Sequence, residues 1–219
     1  MPITPRVKIC CISSPEEAQI AIRYGADALG LVSEMPSGPR VIPEGLITEI
    51  AASTPPFVSS VLLTSKEDHQ SIVEQHGLCR TNAIQICSDL EPRSLEEIRR
   101  SLPGIDLIKV VHITDEASID RAISFAPYVD AVLLDSGNRY APVIELGGTG
   151  RTHDWGISRR IVEALDTPVI LAGGLNPGNV TRAIDEVKPY GVDVCSGVRT
   201  DGGLDPDKLR SFIRQVKGD

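Results

Sequence analysis

The stretch PVILAGGLNPGNV, residues 168–180, followed after a helical run by GVDVCSG, residues 191–197, decides how this chain folds. Each half is a short apolar run that ends in a glycine-bearing turn, at Gly173-Gly174 and at Ser196-Gly197. Asn176-Pro177 after the first turn reads as a helix start: a capping side chain, then a proline that lacks the N–H the first turn cannot use. Strand, glycine turn, helix, strand, glycine turn is the ending of an alternating α/β chain. Glycines let backbone N–H groups approach a bound group, and a helix N-terminus adds partial positive charge. Twin turns of this kind after the last two strands suit a phosphate; the plainer alternative is a pair of ordinary strand-to-helix connections.

The same alternation extends back to the N-terminus. Strands are expected over residues 7–10, 28–32, 57–63, 83–86, 106–111 and 131–134, ahead of 169–171 and 192–194. Helices are expected from Pro15 to Gly25, with Ser14 as cap and Glu17 completing a capping box, then over 43–52, 66–76 (closed by Gly77), 94–101 and 116–125. Asp154 caps a helix to about Leu165, another begins at Asn176-Pro177, and a last one covers 206–216. The strands are apolar without in-out alternation, as parallel strands buried on both faces are. Eight strands and eight helices in order predict an α/β fold, a (β/α)8 TIM barrel in which residues 1–219 form a single domain. No G-x-G-x-x-G follows the first strand, which argues against a dinucleotide-binding sheet.

Composition narrows the function. The 219 residues carry a formal net charge of −8, which disfavours nucleic acid as a partner. Aromatic residues are only 4%, so aliphatic side chains must fill the core. Five cysteines without zinc spacing suggest a reducing, cytoplasmic compartment. No signal peptide or membrane span is read, and the four histidines lack metal spacing.

In such a barrel the chemistry sits at the C-terminal strand ends. The first strand ends at Cys10-Cys11, and Lys8 shares a face with Cys10 because strand side chains alternate. If that face is the interior, Lys8 favours a thiolate at Cys10; otherwise Cys10 is a buried small residue and Lys8 a structural partner of Asp193. By the same alternation Cys11 is expected on the opposite face from Cys10. Asp135 closes the sixth strand, either as a cap or as a carboxyl whose burial suits proton donation. Arg40, after Ser37-Gly38-Pro39, is either a carboxylate-binding guanidinium or a solvated surface residue.

Taken together, these positions resemble the phosphoribosylanthranilate isomerase family of tryptophan biosynthesis. The likeness runs from Val7 to about Lys217 and rests on VKIC (7–10), GADALG (25–30), SGPR (37–40), LLD (133–135), GGTGRTHDW (147–155), AGGLNP (172–177) and DVCSGV (193–198). It implies an Amadori rearrangement of a small-molecule phosphoribosyl anthranilate, without cofactor or metal, in a monomer or homodimer that binds neither nucleic acid nor membrane. It implies Asp135 as general acid, Cys10 as general base, and Arg40 on the substrate carboxylate. Lys8, Gln85 and Asp193 would line the substrate, and Gly148, Gly173, Gly174, Asn176, Ser196 and Gly197 the phosphate. Several positions depart from the pattern: Cys11 stands for glycine, Cys87 for histidine, His153 for phenylalanine, Cys195 for serine and Arg199 for glutamate. These departures leave open a paralogue with another aglycone, or a sugar-phosphate-binding protein without turnover.

Overall fold

Eight short parallel strands close on themselves: β1 (Arg6–Ile9), β2 (Ala28–Val32), β3 (Ser59–Thr64), β4 (Ala83–Ile86), β5 (Asp106–His112), β6 (Ala131–Asp135), β7 (Val169–Leu171) and β8 (Gly191–Val194). Each pairs with the next, and β8 pairs with β1, so the sheet has no open edge. The computed structural model describes residues 4–36, 40–137 and 152–218. The expected Gly148, with the rest of the GGTG segment, and the SGP of the SGPR motif lie outside the described residues.

The helices that connect the strands are α1 (Pro15–Tyr24), α2 (Glu44–Ser53), α3 (His69–Cys79), α4 (Pro92–Ser101), α5 (Ala117–Phe125), α6 (Trp155–Ala164) and α7 (Val180–Val187), with α8 (Pro206–Lys217) closing the chain. Local chemistry sets their ends. Ser14 Oγ accepts from the Glu17 amide at the start of α1, and Gly25, at φ +102°, ends it in the left-handed region. Asp154 and Asp205 cap α6 and α8 through their carboxylates.

Two apolar layers result from the pleat. Val7, Ile9, Leu29, Leu31, Leu62, Ile84, Ile86, Leu134 and their neighbours face outward and pack against the helices. Val32, Val61, Leu63, Ile108, Val110 and Leu133 face inward and fill the barrel. Full burial of each such side chain contributes about 1.5–3 kcal/mol, so aliphatic residues suffice where aromatics are scarce.

The structure revises several expected boundaries, three of them for a clear physical reason. β3 begins at Ser59, not Phe57, because Phe57 has φ +71° and is fully exposed, which no strand position allows. α3 runs through Gly77 and ends at Arg80, which takes the left-handed cap that the glycine was expected to supply. α7 starts after Asn179, not at Asn176: the Asn176 carboxamide accepts from the Gly178 amide in a turn, and its own amide donates to Asn179 Oδ1. A two-stranded hairpin, β9 (Arg199–Thr200) with β10 (Gly203–Leu204), follows β8 and was not foreseen.

The barrel interior holds an ion pair between its first and last strands. Lys8 and Asp193 are register partners on β1 and β8, and Nζ lies 2.9 Å from Oδ1 with both side chains buried. Desolvating two charges costs about as much as such a pair returns, whereas removing one partner strands a buried charge at about 3–5 kcal/mol. Asp193→Asn should therefore lower unfolding free energy by that amount in a urea titration. Lys8→Met combined with Asp193→Leu should recover most of it. A single-variant loss under about 1 kcal/mol, the exposed-pair range, would mean that the pair is hydrated.

Candidate functional site

The strand-end residues converge on one chamber at the C-terminal mouth. Cys10 follows β1, and its amide donates to Val194 O at 2.8 Å, tying the end of β1 to the end of β8. Its side chain belongs to the interior cluster, with Cys87 after β4 and Ala172 after β7. Gly30 on β2 makes room for it. A Cβ there would lie 2.9 Å from Cys10 Sγ and 3.0 Å from Lys8 Nζ, so thiol and ammonium flank the same methyl-sized space. The interior face thus carries both Lys8 and Cys10, and Lys8 has its ion pair with Asp193 as well. Burial works against the Lys8 charge, but Asp193 and Cys10 hold its pKa above the ordinary lysine range.

Asp135 ends β6 with its carboxyl buried. Burial pushes its pKa up to about 6, despite a 2.8 Å hydrogen bond from the Ser136 amide and the field of Lys8; the Asp193 charge adds to the rise. Ser136 in turn packs on Gly173, where a Cβ would come within 2.9 Å of the Ser136 backbone nitrogen. Gly173 and Gly174 have φ +81° and +63°, which leaves that turn open to glycine. The turn after β8 abuts it: a Cβ on Gly197 would lie 1.9 Å from Leu175 O. Acid and base therefore stand on β6 and β1, with the two glycine turns of β7 and β8 between them around the rim.

The remaining expected residues are distributed as follows. Gln85 is buried on β4; its Nε2 donates to Cys87 Sγ at 3.8 Å, and its buried Oε1 has no hydrogen-bond partner among the described residues. Asn176 braces the β7 turn through Gly174 O. Arg40, at φ +62°, donates to Ser13 Oγ at 2.8 Å and lies 3.8 Å from Glu17. Glu17 also pairs with Arg199 at 3.0 Å and accepts from the Leu204 amide. One carboxylate is shared by two guanidiniums at this rim. His153 lies against Ser158 Oγ at 2.7 Å, and burial lowers its pKa to about 4. Among the described residues no group of three or more His, Cys, Asp or Glu is placed to hold a metal ion, and no helix is long and apolar enough to cross a membrane.

One expectation is corrected. Cys11 does not point away from Cys10. Its φ of +63° breaks the strand alternation and returns its side chain to the interior cluster. There it shares a packed cluster with Cys10, against which Cys195 also packs. The role of Glu17 as a rim hub was also missed; read as a capping-box residue, it accepts instead from the Ser13 amide and turns to the arginines. The signal was available in Arg199, a cation with no other assigned partner in the sequence.

Comparison with known proteins follows this geometry. The family described as PRAI, N-(5'phosphoribosyl)anthranilate (PRA) isomerase, matches residues 7–215. The chain is 38% identical over 213 residues to an N-(5'-phosphoribosyl)anthranilate isomerase of Methanocella arvoryzae, covering 97% of this chain and 98% of that one. It superposes with TM-score 0.82 and 31% identity, over 98% of this chain and 100% of the other, on a phosphoribosyl anthranilate isomerase bound to reduced 1-(o-carboxyphenylamino)-1-deoxyribulose 5-phosphate. A structure of monomers generated from the dimeric Thermotoga maritima enzyme gives TM-score 0.83 at 30% identity, with the same coverage.

The raised Asp135 pKa has a cost in stability. Unfolded, the carboxyl titrates at about 3.9; folded, at about 6. Below pH 4 both states hold the proton and nothing is lost. As pH rises from 4 to 6 the unfolded state releases its proton first, and native stability falls relative to a non-titrating side chain, by at most about 3 kcal/mol above pH 6. Asp135→Asn keeps an acceptor for the Ser136 amide and has no such cost. Its Tm should match wild type near pH 4 and exceed it by several degrees at pH 7.5, as followed by calorimetry. Equal Tm values at both pH values would show that Asp135 ionises freely.

Proposed function

The chain belongs to the N-(5'-phosphoribosyl)anthranilate isomerase family, and on that premise we propose how its residues divide the reaction. The enzyme is an isomerase of tryptophan biosynthesis. It converts N-(5-phosphoribosyl)anthranilate, an aldose amine, into 1-(2-carboxyphenylamino)-1-deoxyribulose 5-phosphate by general acid–base catalysis. Asp135, held protonated by burial to about pH 6, gives its proton to the furanose ring oxygen. The ring opens to a Schiff base between C1′ and the anthranilate nitrogen. Cys10, beside the Lys8 ammonium, takes the C2′ proton. The resulting enolamine tautomerises to the ketone. Every hydrogen lost at one carbon is regained at another, so the net change is redox-neutral and the chemistry calls for no cofactor.

The substrate carries an anion at each end. Arg40 would meet the anthranilate carboxylate, its guanidinium being only partly used by Ser13 and a shared Glu17. The amides around Gly148, Gly173, Gly174, Ser196 and Gly197, with Asn176 bracing the β7 turn, would meet the phosphate. Gln85, with a buried carbonyl oxygen lacking a partner, would face the sugar hydroxyls along with Lys8 and Asp193. We take residues 1–219 as one barrel domain, working in a reducing cytoplasm as a monomer or as a homodimer like the T. maritima relative.

The observation that carries this division is a buried, neutral-leaning carboxyl and a thiol beside a cation facing one chamber from β6 and β1. Purified protein given phosphoribosylanthranilate should consume it, as followed by anthranilate fluorescence. Asp135→Asn and Cys10→Ala should each lower kcat by roughly 10²- to 10⁴-fold, while a product analogue still binds. Undiminished kcat in either variant would remove that residue from the mechanism.

A further inference from the structure

Glu17 lies between two guanidiniums at the barrel mouth, and the two are not equivalent. Arg199 and Leu204 are register partners in the β9–β10 hairpin, and both reach Glu17. The Arg199 side chain is 7% exposed, that of Arg40 25%. A carboxylate offers about four acceptor sites, and donors other than Arg40 fill those of Glu17. Its Oε1 accepts from Arg199 Nη1 and from the Leu204 amide, each at 3.0 Å. Its Oε2 accepts from the Ser13 amide at 3.0 Å and from Arg199 Nη2 at 3.3 Å. Arg40 Nη1 stands 3.8 Å from Oε1, beyond hydrogen-bond reach, and donates instead to the neutral Ser13 hydroxyl at 2.8 Å.

The Arg199 end of this network is fixed. Its Nη2 also donates to Cys11 O at 2.6 Å and Cys10 O at 3.3 Å, and its Nη1 to Gly202 O at 3.3 Å. Arg40 lies over the same hairpin turn, where a Cβ on Gly202 would lie 3.1 Å from its Nη2. Burial works against the Glu17 charge, yet the Arg199 guanidinium and the Leu204 and Ser13 amides hold its pKa below the ordinary carboxylate range. The carboxylate is therefore ionised near neutral pH. Two cations and one anion leave a surplus positive charge, and the geometry puts it on the more exposed Arg40.

Resting on the role given to Arg40 above, we propose that Arg199 is a positioning residue that determines specificity for the aromatic carboxylate. By occupying Glu17 it keeps Arg40 from closing onto that carboxylate and leaves the Arg40 guanidinium available to the ligand. Without Arg199, Glu17 has two acceptor sites to fill, and Arg40 is the cation within reach. An internal Arg40–Glu17 bond then competes with the ligand. At position 199 the family pattern has glutamate, which would offer Glu17 no such partner.

Two ligands test this: reduced 1-(o-carboxyphenylamino)-1-deoxyribulose 5-phosphate, and the same molecule without the carboxylate. Binding of each to the full chain is measured by calorimetry. Wild type should prefer the carboxylated ligand. Arg199→Met should weaken that ligand by about 10- to 100-fold, the size of one charge-assisted hydrogen bond, and leave the other nearly unchanged. Arg199→Met combined with Glu17→Gln should recover the preference, because no carboxylate is left to capture Arg40. A merely structural Arg199 would weaken both ligands alike, and the double variant would bind no better than the single one; either result would overturn the proposal. Arg40→Met separates the premise from the inference. If it abolishes the preference while Arg199→Met keeps it, the role of Arg199 falls alone. If Arg40→Met keeps the preference, the role of Arg40 falls and that of Arg199 with it.

Discussion

The Lys8–Asp193 ion pair inside the barrel is the constraint on which the rest of the site depends. A charged pair in an aliphatic interior does little for net stability, since desolvation consumes what attraction returns. Its effect is on its neighbours. The ammonium lies beside the Cys10 thiol and within the field of the Asp135 carboxyl; the Asp193 carboxylate pushes the Asp135 pKa further up. Burial is the main cause of the raised Asp135 pKa, and the pair acts on it in both senses, Asp193 raising it and Lys8 lowering it, while the same pair sets a cation beside Cys10.

Closure of the sheet makes this arrangement possible. Because β8 pairs with β1, the first and last strands of the barrel meet, and residues far apart in sequence become direct neighbours. Close approaches are then secured by absent side chains. Gly30 leaves room for Lys8 and Cys10, Gly173 for Ser136, and Gly197 for the Leu175 carbonyl. The last two lock the β7 turn to its neighbours on either side, so the position of Asp135 and the shape of the expected phosphate site are not independent. At the rim, Glu17 gathers Arg40, Arg199 and the Leu204 amide.

Much of this was legible in the sequence because it depends on local rules. The apolar runs mark the strands; Ser14-Pro15 and Asp154 mark helix starts; the shared face of Lys8 and Cys10 follows from the pleat. What escaped depends on backbone conformation or on partners distant in the chain. Nothing in the letters says that Cys11 adopts φ +63°, yet that one dihedral moves it from the outer face to the interior. Asn176 looked like a helix cap because it precedes proline, but Asn179 competes for the same position and the turn between them satisfies both side chains. Gly77 could have ended α3, but helix and packing continue to Cys79, and Arg80 accepts the left-handed conformation instead. Glu17 was read with its local amide, whereas the cations it meets come from residues 40 and 199.

The account rests centrally on Asp135 remaining protonated where an ordinary aspartate would not. That can be observed directly by labelling the aspartate carboxyl carbons with ¹³C, identifying the Asp135 signal by its absence in Asp135→Asn, and following its shift with pH in the free enzyme. The structure predicts a midpoint at about 6. A midpoint at the ordinary value of about 3.9 would contradict it, and would mean that burial at the end of β6 does not hold the proton on the acid.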